Sequence, residues 1–371
     1  MSCFKMLGWR AFATLAFALA LITCSHKHVK TTTYNHGTVI LIPGILGTQL
    51  YDQEARRRWP PRIWQAFSFG EALVCDANGV PQQSIEVGEP LQEHYGKMAE
   101  TLSEAGYRVV LFGYDWRLDN TITADRLSTL IGSLGPGKVD IVAHSMGGIV
   151  AVAYLRAHGL DRVGRLITFG TPFLGAPGAV KTLELGDTVE GPLWRLVHES
   201  FTQVYQNNAS WYQLLPSKLF FAFGEKSYLG TAASPAAKEP KKLEGFARSR
   251  DFIASRPWVN QALLARAVAF HDQLDLVRLL AKVDAYFVIG RSQPTIETLT
   301  FNLSAKPGEI EAIAYTHGNE GDGAVLIKSA TIGGQTEIIH PGRTLYVDER
   351  HGQLLNSDRA ITHVLKILAS H

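Results

Sequence analysis

The sequence predicts an α/β fold in which a mainly parallel central sheet is flanked by helices, with two insertions, one helical and one loop-like. Three observations predict it. Short continuous apolar runs read as strands buried on both faces, helical patterns alternate with the first of them, and two long segments break the alternation.

The first residues read as a targeting segment. Lys5 and Arg10 flank a short basic start, and the uncharged run Ala11–Thr23 suits a signal-peptide core while being short for a membrane span. It ends in Leu21-Ile22-Thr23-Cys24, which resembles the lipobox of bacterial lipoproteins, where the Cys is lipidated and starts the mature chain. Residues 1–23 are therefore expected to be a signal segment and 24–36 a polar, threonine-rich linker, with export to the periplasm or outer membrane and Cys24 as the candidate lipid anchor. An ordinary signal peptide and an uncleaved anchor are the alternatives.

The folded domain is expected over 37–371. Thr38–Ile42 (TVILI) is a continuous apolar run stopped by Pro43-Gly44, and similar runs follow at Tyr107–Phe112, Val139–Ala143, Arg165–Phe169 and Ala285–Ile289. Helical patterns at Glu93–Ala105 and Asp119–Gly132 lie between the first three, the second opened by Asp119 and Thr121 as candidate caps. The first insertion, about 52–92, has weak periodicity and scattered aromatics, as expected of a functional flap or a disordered loop. The second, at about 175–282, looks like an insertion between two sheet strands, mostly helical after Lys241 and closing with a helix expected over Val259–Lys282. Arg343–Val347 reads as a strand, with a terminal helix after it.

Composition narrows the function. The chain has 371 residues, 46% hydrophobic, enough to bury a full core. A net charge of +2 lacks the basic excess of a nucleic-acid binder, so no nucleic-acid partner is expected. A membrane surface is an expected partner, and contact with it must come from apolar surface or a covalent anchor. Of three cysteines, Cys3 lies in the leader and Cys24 is the candidate anchor, so with Cys24 lipidated Cys75 remains alone and reads as a small apolar filler without a disulfide. No HExxH or Cys-x-x-Cys pair occurs, so no metal and no cofactor is expected. Gly132–Lys138 has the spacing of a phosphate-binding loop, but Val139 stands where Ser or Thr must meet magnesium, and the segment precedes its strand; it reads as a turn.

The chemistry centres on Val142-Ala143-His144-Ser145-Met146-Gly147-Gly148, between a strand and the helical pattern Ile149–His158. A strand, a small residue, Ser, a Gly two residues on and a helix make the context of a nucleophile elbow, so an α/β-hydrolase with Ser145 as nucleophile is predicted. In that fold an acid and then a His follow the Ser in the chain. His351 sits in a loop after the Arg343–Val347 run, with His317 and His340 as rivals; His363 reads as packing on the last helix. Asp322, between two glycines, is the candidate acid, with Glu320 beside it as an alternative. The oxyanion of an acyl-transfer intermediate needs N–H donors. The backbone N–H of Met146 is one candidate, and the loop Pro43–Gly47 is placed for the second.

Several segments together resemble the lecithin–cholesterol acyltransferase and lysosomal phospholipase A2 family. They are Pro43–Leu50 (PGILGTQL), Tyr114-Asp115-Trp116-Arg117-Leu118, the Ser145 elbow, Phe169–Gly175 (FGTPFLG), Gly321–Val325 (GDGAV) and His351 with its trailing Leu and Asn. The resemblance implies that Ser145, Asp322 and His351 form a triad and that Ile45 donates the second oxyanion N–H. It implies a lid within Asp52–Gln92 and a cap within Gly175–Lys282 that shapes an acyl pocket. The implied substrate is a lipid or other acyl ester, with water or an alcohol as acceptor. The disulfide that closes the eukaryotic lid has no counterpart, since this segment holds only Cys75. A soluble esterase for small esters is the rival enzyme, and an inactive tethered binding protein the rival outside catalysis.

Overall fold

The computed structural model describes residues 35–61, 69–186, 198–223, 226–233, 239–304 and 310–370. The leader with Cys24, most of the linker, and Trp64 and Phe67 of the first insertion lie outside the described residues. Residues 34–371 form one compact unit.

β1 (Thr38–Ile42) shows how the sheet forms. Val39, Ile40, Leu41 and Ile42 are all fully buried, as an inner parallel strand requires. Side chains alternate across the sheet: Ile40 and Ile42 join the core that holds Leu127 and Ile149, whereas Val39 and Leu41 join the one that holds Met98 and Val364. β2 (Thr48–Tyr51), β3 (Arg57–Trp59) and β4 (Glu86–Pro90) follow as a small antiparallel sheet in the order β3-β2-β4, with the short helix α1 (Phe69–Leu73) between the last two. The segment read as a loop over 52–92 thus carries strands and a helix among its described residues. Three residues reading Arg-Arg-Trp are too few to show a period of two. Asp52 holds the base of the β2–β3 turn, accepting from Arg56 Nε and Arg58 Nε, both at 2.8 Å.

The alternating core continues with α2 (Gln92–Glu104), β5 (Arg108–Leu111), α3 (Asn120–Ser133), β6 (Val139–His144), α4 (Met146–His158) and β7 (Val163–Phe169). Asp119 caps α3, its carboxylate accepting from Thr121 N at 3.0 Å. The Gly132–Lys138 run ends α3 and turns the chain into β6, and its Gly137 carbonyl accepts from Arg162.

The second insertion holds α5 (Gly178–Leu185), α6 (His198–Gln206), α7 (Ala209–Tyr212), α8 (Lys218–Ala222), β8 (Leu229–Ala232), β9 (Lys241–Lys242), α9 (Phe246–Ala254), α10 (Gln261–Gln273) and α11 (Leu276–Lys282). The single helix expected over Val259–Lys282 is two. Asn260 caps the first through Leu263 N, and Asp275, at φ +49°, breaks the chain before the second. Asp is one of the few residues that tolerates that left-handed backbone.

β10 (Asp284–Gly290) returns to the central sheet, and β11 (Thr295–Leu303) and β12 (Ile310–Gly318) form a hairpin. β11 also pairs in parallel with β8, giving a second sheet, β12-β11-β8-β9, that joins the insertion to the core. The short helix α12 (Ile327–Ala330), β13 (Thr344–Val347) and α13 (Asp358–Ala369) complete the chain. The central sheet runs β13-β10-β7-β6-β1-β5 with every pairing parallel. Its carboxyl ends therefore point one way, toward the loops after β1, β6, β10 and β13. That is the edge at which open α/β sheets place their ligands.

Candidate active site

Ser145 sits between β6 and α4 at φ 53°, ψ −126°, a backbone that a residue with a Cβ occupies only under constraint. Its N–H donates to Phe169 O at 2.8 Å. The small neighbours that the turn needs are present. A Cβ on Gly147 would lie 2.5 Å from Pro43 O and 2.6 Å from Ile42 O. The turn points the Ser145 hydroxyl toward the loop after β13 and puts Met146 N–H at the start of α4, where the helix dipole favours negative charge.

That loop brings His351 to Ser145, with Nε2 2.9 Å from Oγ. On the other side of the ring, Nδ1 lies 2.7 Å from Asp322 Oδ2. Asp322 is 1% exposed and stands in the turn after β12, reached from β10 through the β11–β12 hairpin. Its other oxygen accepts from Val325 N at 2.7 Å and Ala324 N at 3.0 Å, so the carboxylate is satisfied and fixed. The backbones are joined as well, His351 N donating to Asp322 O at 2.8 Å. Gly170 and Gly290 leave the room: a Cβ on either would come within 2.7 Å of an Asp322 atom. The rivals fall away on position. His317 stacks edge-on against Tyr315 in β12, His340 turns the chain before β13 with its carbonyl accepting from Arg343 N, and Glu320 is exposed.

The proton positions follow from the partners. The carboxylate can only accept, so His351 carries its proton on Nδ1 and turns the Nε2 lone pair to the Ser145 hydroxyl. Such an arrangement can take the hydroxyl proton as the oxygen attacks an electrophile. Ile45 lies in the turn Gly44–Gly47 after β1, opposite the start of α4; among the described residues its N–H makes no hydrogen bond. A cavity of about 870 Å³ opens over Ser145 and His351. Trp59, Trp211 and Leu214 give it apolar walls, and Lys181, His317 and Tyr315 supply polar ones.

The profile of the lecithin:cholesterol acyltransferase family matches residues 83–235, which include Ser145 and the Tyr114–Leu118 motif. Over that segment the chain is similar to the lecithin:cholesterol acyltransferase family. Two Arabidopsis thaliana relatives are similar to it: Phospholipase A(1) LCAT3, 36% identical over 100 residues (24% of this chain, 22% of that protein), and Lecithin-cholesterol acyltransferase-like 4, 27% identical over 191 residues (39% and 36%). The chain thus spans well under two thirds of the length of the curated relatives it matches. The crystal structure of the Tle4–Tli4 complex shares the fold, with a TM-score of 0.59 at 18% identity, covering 90% of this chain and 99% of that one.

Two residues of this site carried no sequence signal as site residues, Tyr95 and His144. Tyr95 is one apolar position on the buried stripe of α2. His144 lies inside the elbow motif beside Ser145, which was the available clue. Both are buried, and the Tyr95 hydroxyl is 3.1 Å from His144 Nδ1. Cys75 is buried, and that burial pushes its thiol up to about 12, the reverse of what a nucleophilic thiol needs.

Proposed function

We propose that the chain is a serine-dependent acyl hydrolase or acyltransferase acting on lipid acyl esters such as phospholipids. The observation that carries the reading is the 2.9 Å contact of Ser145 Oγ with a His351 ring held by the buried Asp322. His351 Nε2 takes the Ser145 proton as Oγ attacks the ester carbonyl, and the Met146 and Ile45 N–H groups hold the oxyanion. The imidazolium then gives that proton to the departing alkoxide, leaving an acyl–Ser145 ester. Water or an alcohol attacks this ester, His351 accepts its proton and returns it to Ser145, and the acid or new ester departs. Two features support a lipid over a small ester: the size of the cavity, and its pairing of apolar walls with Lys181 and His317.

The test is labelling by a fluorophosphonate probe, expected for wild type and lost in Ser145→Ala; an unlabelled wild type overturns the nucleophile assignment. Turnover of phospholipid vesicles with and without a long-chain alcohol then separates hydrolysis from transfer. Hydrolysis of short-chain esters as fast as long-chain lipid would point to the small-ester esterase instead.

A further inference from the structure

We propose that Tyr95 and His144 are positioning residues, a buried hydrogen-bonded link that sets the turn carrying Ile45 in register with the loop carrying His351. The inference deepens the acyl-transfer reading and rests on it. Four contacts make the link. Gly44 N donates to the Tyr95 hydroxyl at 2.9 Å, and that hydroxyl is 3.1 Å from His144 Nδ1. His144 Nε2 is 3.0 Å from the backbone carbonyl of His351, whose own N–H donates to Asp322 O.

The direction of each bond is forced. A phenol that accepts from Gly44 N–H has one proton left, and it goes to His144 Nδ1. His144 must then carry its proton on Nε2, where the His351 carbonyl can only accept. That is a neutral imidazole, and burial, followed by the nearby His351, holds its pKa well below the usual histidine range. The two rings sit 4.7 Å apart, centre to centre. A His144 that stayed neutral would add no competing charge beside His351 when His351 becomes an imidazolium.

The link also decides which amide is available to substrate. Gly44 N–H is committed to Tyr95, so the donor that the turn can offer is the next one, Ile45. The fit is close: a Cβ on Gly47 would stand 2.6 Å from the Tyr95 hydroxyl, and one on Gly44 would stand 2.8 Å from Ser145 Cβ. A misplacement of about 1 Å in such a donor or base can cost about 100-fold in rate.

The experiment measures kcat and KM on a p-nitrophenyl ester for wild type, Tyr95→Phe, His144→Leu, His144→Gln and the Tyr95→Phe/His144→Leu double variant. Tyr95→Phe and His144→Leu should each lower kcat about 10- to 100-fold with KM within about twofold. The double variant should be no slower than the worse single, because both cut one chain. His144→Gln, which keeps an N–H for the His351 carbonyl, should retain more kcat than His144→Leu. Losses that multiply, a change carried by KM, or a Tyr95→Phe rate within about twofold of wild type each overturn the proposal. Should His144→Leu fail to fold, the Tyr95→Phe rate decides. Fluorophosphonate labelling keeps the two readings apart. An unlabelled wild type sinks the acyl-transfer reading, whereas a labelled wild type with Tyr95→Phe labelling just as fast sinks only this one.

Discussion

Replacing Asp115 by Asn should destabilise the fold by about 3–5 kcal/mol without touching Ser145, Asp322 or His351. Arg117 is fully buried, and Asp115 is its partner on two sides: Nε to Oδ1 at 2.9 Å and Nη2 to Oδ2 at 2.7 Å, with Arg117 N also donating to Oδ1. Burial works against the charge, yet the hydrogen bonds and attraction of Asp115 outweigh it and raise the Arg117 pKa above its usual value. In the Asn variant the cation stays buried and its compensation is gone, which is the costly way to break such a pair. A folded unit of about 340 residues unfolds with an entropy of about 0.7 kcal/mol/K, so this loss corresponds to a fall in Tm of about 4–7 °C. Thermal melting followed by circular dichroism reads it, with urea unfolding as a check on two-state behaviour. The control removes both charges: Asp115→Leu with Arg117→Met should lose less than Asp115→Asn alone. A shift under about 1 °C for the single variant, or a larger loss for the double one, would refute the reasoning.

Two further outcomes follow from the buried hydrogen bonds. Asp322→Asn keeps an acceptor for Ala324 and Val325 N–H but turns an amide donor toward His351 Nδ1, which forces the proton onto Nε2. Turnover should drop about 10⁴-fold, as when the same exchange is made in a serine protease triad, with labelling of Ser145 slowed in parallel; near-normal turnover removes Asp322 from the proposed role. His144 and His271 are both buried with pKa values lowered, first by burial. Below the unfolded value near 6.5 the unfolded chain binds protons that the folded chain refuses, so stability should fall as pH drops through 6.5. Each histidine should contribute up to about 1.4 kcal/mol per pH unit, and neither should matter above about pH 7.5. His271→Gln should flatten the slope of unfolding free energy against pH between 5 and 6.5, and an unchanged slope rejects the assignment.

Legibility in the sequence followed how local each cause was. The runs read as strands at 38–42, 139–143 and 165–169 recur within a residue or two, because an inner parallel strand must be apolar at every position. Ser145 was legible because the elbow constrains several neighbours at once. His351 and Asp322 were harder, since thirteen histidines offer no spacing rule and only the loop positions, sharpened by the family resemblance, singled these two out. β3 and β4, reading RRW and EVGEP, were hidden because pairing with β2 rather than their own pattern makes them strands. The break at Asp275 was hidden because one left-handed residue does not disturb the apolar period on either side. Tyr-Asp-Trp-Arg-Leu stood out as a family marker, yet its Trp116 and Arg117 are buried structural members: Trp116 packs edge-on against Trp59, and Arg117 pairs with Asp115.

The turn Gly44–Gly47 changes meaning most between sequence and structure. In sequence it is a loop placed for an oxyanion donor; in the fold the atoms that a Cβ on its glycines would meet belong to the protein: Ser145 Cβ for Gly44, the Tyr95 hydroxyl for Gly47. Between them Leu46 sits at φ 61°, a backbone that a Leu holds only when its surroundings insist. Trp59 supplies part of that insistence, its indole Nε1 donating to Leu46 O at 2.6 Å. Leu91 N supplies another, donating to Gly47 O at 2.9 Å. The Ile45 N–H is therefore aimed by contacts from β3, the start of α2 and the Ser145 turn together. Because Trp59 comes from the segment read as lid-like and also lines the cavity, anything that displaces β3 pulls directly on the Leu46 carbonyl, one residue from the proposed oxyanion donor.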